Sequence, residues 1–212
     1  MSDVAARDRS RLIDHFKRLY TIIAGLAITE ACRKLMPIDP DTFRASSLWM
    51  FLAFLVTIVP IFQGGDRSLD LKYLDDRLDG TPHNKWAFVW DVFMLLATAL
   101  AFVAIAESIP TVHDVQPCAR NIMFFFAMAS LFLLDVVVLV VDYAKTHVAP
   151  KLSSYPPWIL LNFLLFAVCL VAGLAYRNEP DASLAKFAAS IFVCAFGRTF
   201  FDYLLSESFM FP

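Results

Sequence analysis

The sequence predicts an all-α fold, a polytopic bundle of transmembrane helices, and four observations carry the prediction. Its apolar residues gather into blocks close to the ~20 residues a helix needs to cross a bilayer's hydrocarbon core; the run from Ile122 to Val141 is the clearest. The chain is 59% hydrophobic and 18% charged, against about 45–50% and about 25% in soluble domains. Its 21 Phe belong to a residue type favoured at the centre of membrane helices. Finally, Trp49, Trp86, Trp158, Tyr143 and Tyr176 stand at block ends, as interfacial aromatic belts require. Apart from Pro60, the prolines fall between blocks or in a first turn, where a missing N–H costs little. Six spans follow, with five as the alternative, in a single membrane domain over residues 1–212.

Residues 1–18 are polar and of mixed charge. Leu12, Ile13, Phe16 and Leu19 recur at helical spacing, which predicts an amphipathic segment on the cytoplasmic surface. The charged stretch is too long, and the apolar run too interrupted by Glu30, for a cleaved leader. The first span, 19–36, is the least apolar. Thr21, Gly25 and Thr29 beside Ala24, Ala27 and Ala31 predict a small-residue face of the kind that lets membrane helices approach closely. If this segment lies in the interface instead, five spans remain. The second span, 48–62, opens at Trp49, carries Pro60 near its end, and is expected to stop at Gln63-Gly64-Gly65.

Residues 66–79 hold the densest charge in the chain. Leu71, Leu74 and Leu78 share a helical face and Lys72 stands four residues before Asp76, so a cytoplasmic surface helix is expected. Such a helix would offer a docking surface to a protein partner. The turn at Asp79-Gly80-Thr81-Pro82 closes it. The remaining spans are 86–109 with Asp91, 122–143 with Asp135, 157–176 with Asn162, and 184–205 with Arg198 and Asp202. Arg198 aside, the outer segments of a six-span chain hold Arg33, Lys34, Arg44, Arg120, Arg177 and Lys186, and every other Lys and Arg lies on the inner side. The inner side is the richer, so both termini are placed in the cytoplasm and the chain in the cell (cytoplasmic or plasma) membrane.

Depth along each helix, at ~1.5 Å per residue, places Asp91 roughly 7–8 Å, Arg198 roughly 10 Å and Asp135 roughly 12 Å from the inner face. Asp202 is shallower. Asp91, Asp135, Arg198 and Asp202 thus form a predicted intramembrane polar cluster in one slab of the inner half-membrane. Asn121, Met128, Asp135 and Asp142 are seven residues apart, a stripe drifting only ~20° per heptad. Asp91 and Thr98 share the same spacing. Asn121, Thr98, Asp142 and Asn162 are therefore candidate extensions of the cluster. Arg198 is expected to pair with Asp135 or Asp91, because an uncompensated charge at that depth is costly.

Two readings of the cluster stand side by side. Buried ion pairs can simply fix helix orientation. Alternatively, the excess of carboxylates over one arginine suits a proton or cation pathway. The first function considered is accordingly a small channel or transporter, acting as a homo-oligomer because six packed helices enclose little space. The other is a non-transporting scaffold, sensor or partner subunit in which the charges only set packing.

The lipid bilayer is the environment expected in both cases. A net charge of −2 gives no basic field for nucleic acid. The four cysteines and four histidines show no metal-ligand spacing, so no metal or cofactor is expected. A Cys32–Cys118 disulfide is compatible with the topology, though spacing cannot establish its geometry. No potassium-channel filter, voltage-sensor arginine series, P-loop, HExxH or GxSxG occurs, so no catalytic motif supports an enzyme.

Overall fold

Hydrocarbon cannot hydrogen-bond an open backbone, so a chain with such apolar blocks folds them as helices. The computed structural model describes residues 3–35, 44–73, 85–111, 117–145, 155–175 and 181–205. They form six helices: α1 (Asp3–Leu35), α2 (Ala45–Tyr73), α3 (Lys85–Ser108), α4 (Pro117–Lys145), α5 (Tyr155–Ala175) and α6 (Asp181–Leu205). Five of them, α2 to α6, are long and apolar enough to cross a membrane. Outward faces such as Ile22, Leu100, Met123, Leu174 and Val193 are 59–64% exposed, a distribution that suits contact with lipid rather than water. This is the architecture of an integral membrane protein.

Around the bundle the helices neighbour one another in the order α1, α3, α4, α5, α6, α2 and back to α1, with α2 also reaching α3 and α4. Ion pairs fix the alternation of direction. Lys17, in the first half of α1, meets Asp66 and Asp70 near the end of α2. Lys34, one helix length further on, meets Glu107 at the end of α3. Ser47, at the start of α2, donates to the Pro110 carbonyl at that same far end. The core between these ends is aromatic, with Phe54, Phe102, Phe124, Phe125 and Phe132 fully buried.

Three local expectations change. The amphipathic segment and the first span are one continuous helix, α1. Its buried face is Ile13, Tyr20, Ala24, Ala27 and Ala31. Thr21, Gly25 and Thr29 face outward, because 3.6 residues per turn carries them roughly 100–180° round from Tyr20. Their two hydroxyls bond back to the Lys17 and Gly25 carbonyls.

The second change is that α2 does not stop at Gln63-Gly64-Gly65. It runs on to Tyr73, so Asp66 to Tyr73 are its last turns rather than the start of a separate surface helix. Residues 74–79, with Asp76, lie outside the described residues. A glycine inside a helix costs only about 1 kcal/mol, and tertiary contacts here outweigh it. The Tyr203 hydroxyl on α6 donates to Gln63 Oε1. A Cβ on Gly65 would lie 3.2 Å from Leu95 Cδ1 and 3.5 Å from the Tyr20 hydroxyl. Glycine is what lets α1 and α3 come that close.

Third, Pro60 is interior to α2. With no N–H it cannot bond the carbonyl four residues back. That carbonyl, of Val56, accepts from Thr199 Oγ1 on α6 at 3.0 Å, so a neighbouring helix makes good the missing bond. Cys32, Cys169 and Cys194 are free thiols, and the Cys118 side chain lies outside what is described.

Candidate functional site

The end of the bundle that gathers the start of α1, α3 and α5 and the end of α2, α4 and α6 encloses a cavity of about 130 Å³. At about 30 Å³ per water in the liquid, that is room for about four waters or a small molecule. Asp91, Asp135, Asp142, Asp202, Lys72 and Arg198 all line it. Apolar walls come from Leu69, Met94, Leu95, Val138 and Leu139.

The six charges form two clamps. In one, Arg198 of α6 reaches across to α4, its Nη2 3.4 Å from Asp135 Oδ2, while Nη1 lies 3.2 Å from Asp202 Oδ2 on its own helix. In the other, Lys72 of α2 sits 2.8 Å from Asp142 on α4 and 3.3 Å from Asp91 on α3. The Tyr73 hydroxyl donates to the second oxygen of Asp91 at 2.7 Å. Burial, and then this hydrogen bond, hold the Tyr73 phenol well above its usual pKa, so it is a donor at any physiological pH.

With all groups ionised, four carboxylates face two cations. The Asp135 carboxylate is the least committed: it meets one guanidinium nitrogen at 3.4 Å, and 21% of its side-chain surface stays accessible. Among the described residues no three His, Cys, Asp or Glu side chains are grouped to hold a metal ion.

A third ion pair sits beside the cavity. Lys17 bonds Asp70 at 2.8 Å and Asp66 at 3.0 Å, tying α1 to α2. Burial alone would lower the Lys17 pKa, but the hydrogen bonds to Asp70 and Asp66 outweigh it and raise it.

Comparison with protein-family models, curated proteins and solved structures gives no match. The site therefore stands on its own geometry.

All four members of the sequence cluster line the one cavity, but not as a single network. Arg198 pairs with Asp135, while Asp91 belongs to the Lys72 clamp on the other side. Of the extensions, Asp142, Thr98 and Asn162 line the cavity too. Thr98 bonds the Met94 carbonyl of its own helix. Asn121 does not line it; two heptads before Asp135, it lies about 21 Å away along α4.

Lys72, Tyr73 and Tyr20 were not expected at the site. Taking the glycine pair as a stop assigned Lys72 to a solvated face with Asp76. Yet Ile61, Gly65, Ser68 or Leu69, and Lys72 keep a helical period straight through the glycines, and all of them line the cavity. That continuity was the available signal. Tyr20 carried no comparable mark, since an aromatic at a span's start reads as an interfacial anchor.

Proposed function

We propose that this membrane protein is a small channel or transporter whose acid-rich cavity handles protons or cations. The supporting observation is the cavity itself. Carboxylates from α3, α4 and α6 line a space in a helix bundle, outnumber the cations there, and include one, Asp135, with surface left accessible. Charged groups inside a membrane bundle are costly and by default raise the hypothesis of a functional site.

In this reading all six helices cross the membrane and both termini face the cytoplasm of a cell membrane. Lys17 and Lys34 of α1 meet opposite ends of neighbouring spans, about 26 Å apart at helical rise, which favours a sixth span over an interfacial helix. The cavity then opens in the inner half of the bilayer, and the working unit is a homo-oligomer.

The test is flux in proteoliposomes. Wild type is expected to conduct protons or a monovalent cation, and Asp135→Asn to abolish the flux while Gly25→Ala, on the outward face of α1, retains most of it. Absence of flux in wild type, or equal flux in Asp135→Asn, overturns the proposal.

One observation favours a second reading. Each cation bridges carboxylates on different helices, Lys72 joining α2 to α3 and α4, and Arg198 joining α6 to α4. Charges so placed would also serve a non-transporting scaffold, sensor or partner subunit, with a protein partner docking at residues 66–79. Charge reversal across that segment that releases a co-purifying protein, in a chain without flux, would favour it.

A further inference from the structure

We infer that the cavity binds a small organic primary or secondary ammonium ion, a ligand class narrower than cations at large. The inference rests on the cavity being the working site proposed above, and what carries it further is a pair of buried hydrogen-bonding atoms left without partners.

Asn162, on α5, is only 1% exposed. Its Nδ2 donates to the Trp158 carbonyl at 3.0 Å. A carbonyl can only accept, so the orientation of the amide is fixed, and Oδ1 is the free end. That Oδ1 is buried with no hydrogen-bond partner. The Tyr20 hydroxyl, on α1 across the cavity, is likewise buried without a partner. Both residues line the cavity. An unpartnered buried acceptor costs about 1–3 kcal/mol, and native proteins carry few of them without a reason. Asn162 Oδ1 can take only a donor.

The charge balance calls for the same ligand. Four carboxylates against Lys72 and Arg198 leave the cavity two charges negative when all are ionised, and Asp135 keeps accessible surface. One ligand group brings both a positive charge to the acid-rich cavity and an N–H donor to Asn162 Oδ1. It is an ammonium bearing hydrogens. A metal ion fits less well, since no three acidic, His or Cys side chains are grouped to cage one among the described residues. The remaining wall suits a short carbon chain: Leu69, Met94, Leu95, Val138 and Leu139 are apolar. Tyr155 and Trp158, their ring centres 5.7 Å apart, offer aromatic surface to a cation. Aromatic surface alone would welcome a quaternary ammonium as readily. Asn162 Oδ1, which can only accept, is what distinguishes the hydrogen-bearing ion.

The experiment is isothermal titration of the full chain in detergent micelles at neutral pH with n-butylammonium chloride. Tetramethylammonium chloride, n-butanol and sodium chloride are titrated in parallel, and proteoliposome flux is measured on the same preparation. Saturable binding of n-butylammonium alone is expected. Asp135→Asn should abolish it, and Asn162→Leu should weaken it roughly ten- to hundredfold. Tyr20→Phe, which keeps the ring and loses only the hydroxyl, should also weaken it.

The inference is overturned if n-butylammonium does not bind. It is also overturned if tetramethylammonium, n-butanol or sodium binds as well, or if Asn162→Leu and Tyr20→Phe both retain wild-type affinity. Amine binding without flux keeps this inference and sinks the transport reading. Flux without amine binding does the reverse.

Discussion

Lys72→Met tests whether the end of α2 is held by charge. The Lys72 ammonium lies 2.8 Å from Asp142 and 3.3 Å from Asp91, whose side chains are only 8% and 10% exposed. Methionine keeps most of the aliphatic stem and its packing while removing the charge. Taking away one partner of a buried pair costs about 3–5 kcal/mol. Two features favour the low end, about 3 kcal/mol: Lys72 itself is 29% exposed, and Asp91 retains its Tyr73 hydrogen bond. At about 2–4 °C per kcal/mol for a chain of this size, thermal unfolding in detergent should shift down by about 6–12 °C. Asp142→Asn added to Lys72→Met should recover part of the loss, because it removes the carboxylate left behind, and the cycle should show a coupling of about 1–3 kcal/mol. A shift under about 2 °C, or strictly additive losses, would refute the assignment of Lys72 to a buried clamp.

The Lys17 pair gives a pH signature. Its pKa is raised in the fold from an ordinary 10.5, so its contribution to stability is complete below that value and is lost as pH rises through the folded pKa; the stability gap between wild type and Lys17→Met, followed by melting from pH 8 upward, should stay constant and then begin to narrow above about pH 10.5. Gly173 packs its backbone against Phe125 and Phe126, where a Cβ would meet side-chain atoms at 3.4–3.5 Å. Gly173→Ala should therefore be nearly neutral, whereas Gly173→Leu overpacks the α4–α5 contact and should cost about 1–3 kcal/mol in the same melting assay. Gly25 meets nothing within 4 Å, so Gly25→Ala should gain about 0.5–1 kcal/mol from helix propensity. Single cysteines at exposed Arg11 and Arg33, in a chain whose native thiols are replaced, should label from opposite faces of a vesicle; labelling from one face would leave α1 in the interface.

The spans were legible because lipid imposes a simple rule: about twenty apolar residues, bounded by aromatics and prolines, form a helix. The convergence of Asp91, Asp135, Arg198 and Asp202 was legible for a similar reason, since helical rise converts position into depth. Which cation met which carboxylate was not. That depends on rotation about each helix axis, and rotation is set by packing such as Tyr20 against Phe62, rings 4.8 Å apart. Lys72 was misplaced because glycines were weighed by local propensity alone. At Gly65 the approach of Tyr20 and Leu95 decides, and no local pattern contains it. The small residues of α1 carry the same lesson: Ala24, Ala27 and Ala31 pack, whereas Thr21, Gly25 and Thr29, equally small, face outward.

Pro60 divides α2 into two lengths fastened by different forces. Before it, Met50, Ala53, Phe54 and Ile58 are fixed by close apolar packing. Beyond it, Ile61, Phe62 and Leu69 still pack, and Gln63, Asp66, Asp70 and Lys72 add hydrogen bonds and charge. One rod thus has two couplings with separate sensitivities. Ionic strength and pH act on its charged end, while bilayer thickness and detergent act on its apolar end. The Thr199 hydroxyl on Val56 marks where one regime gives way to the other.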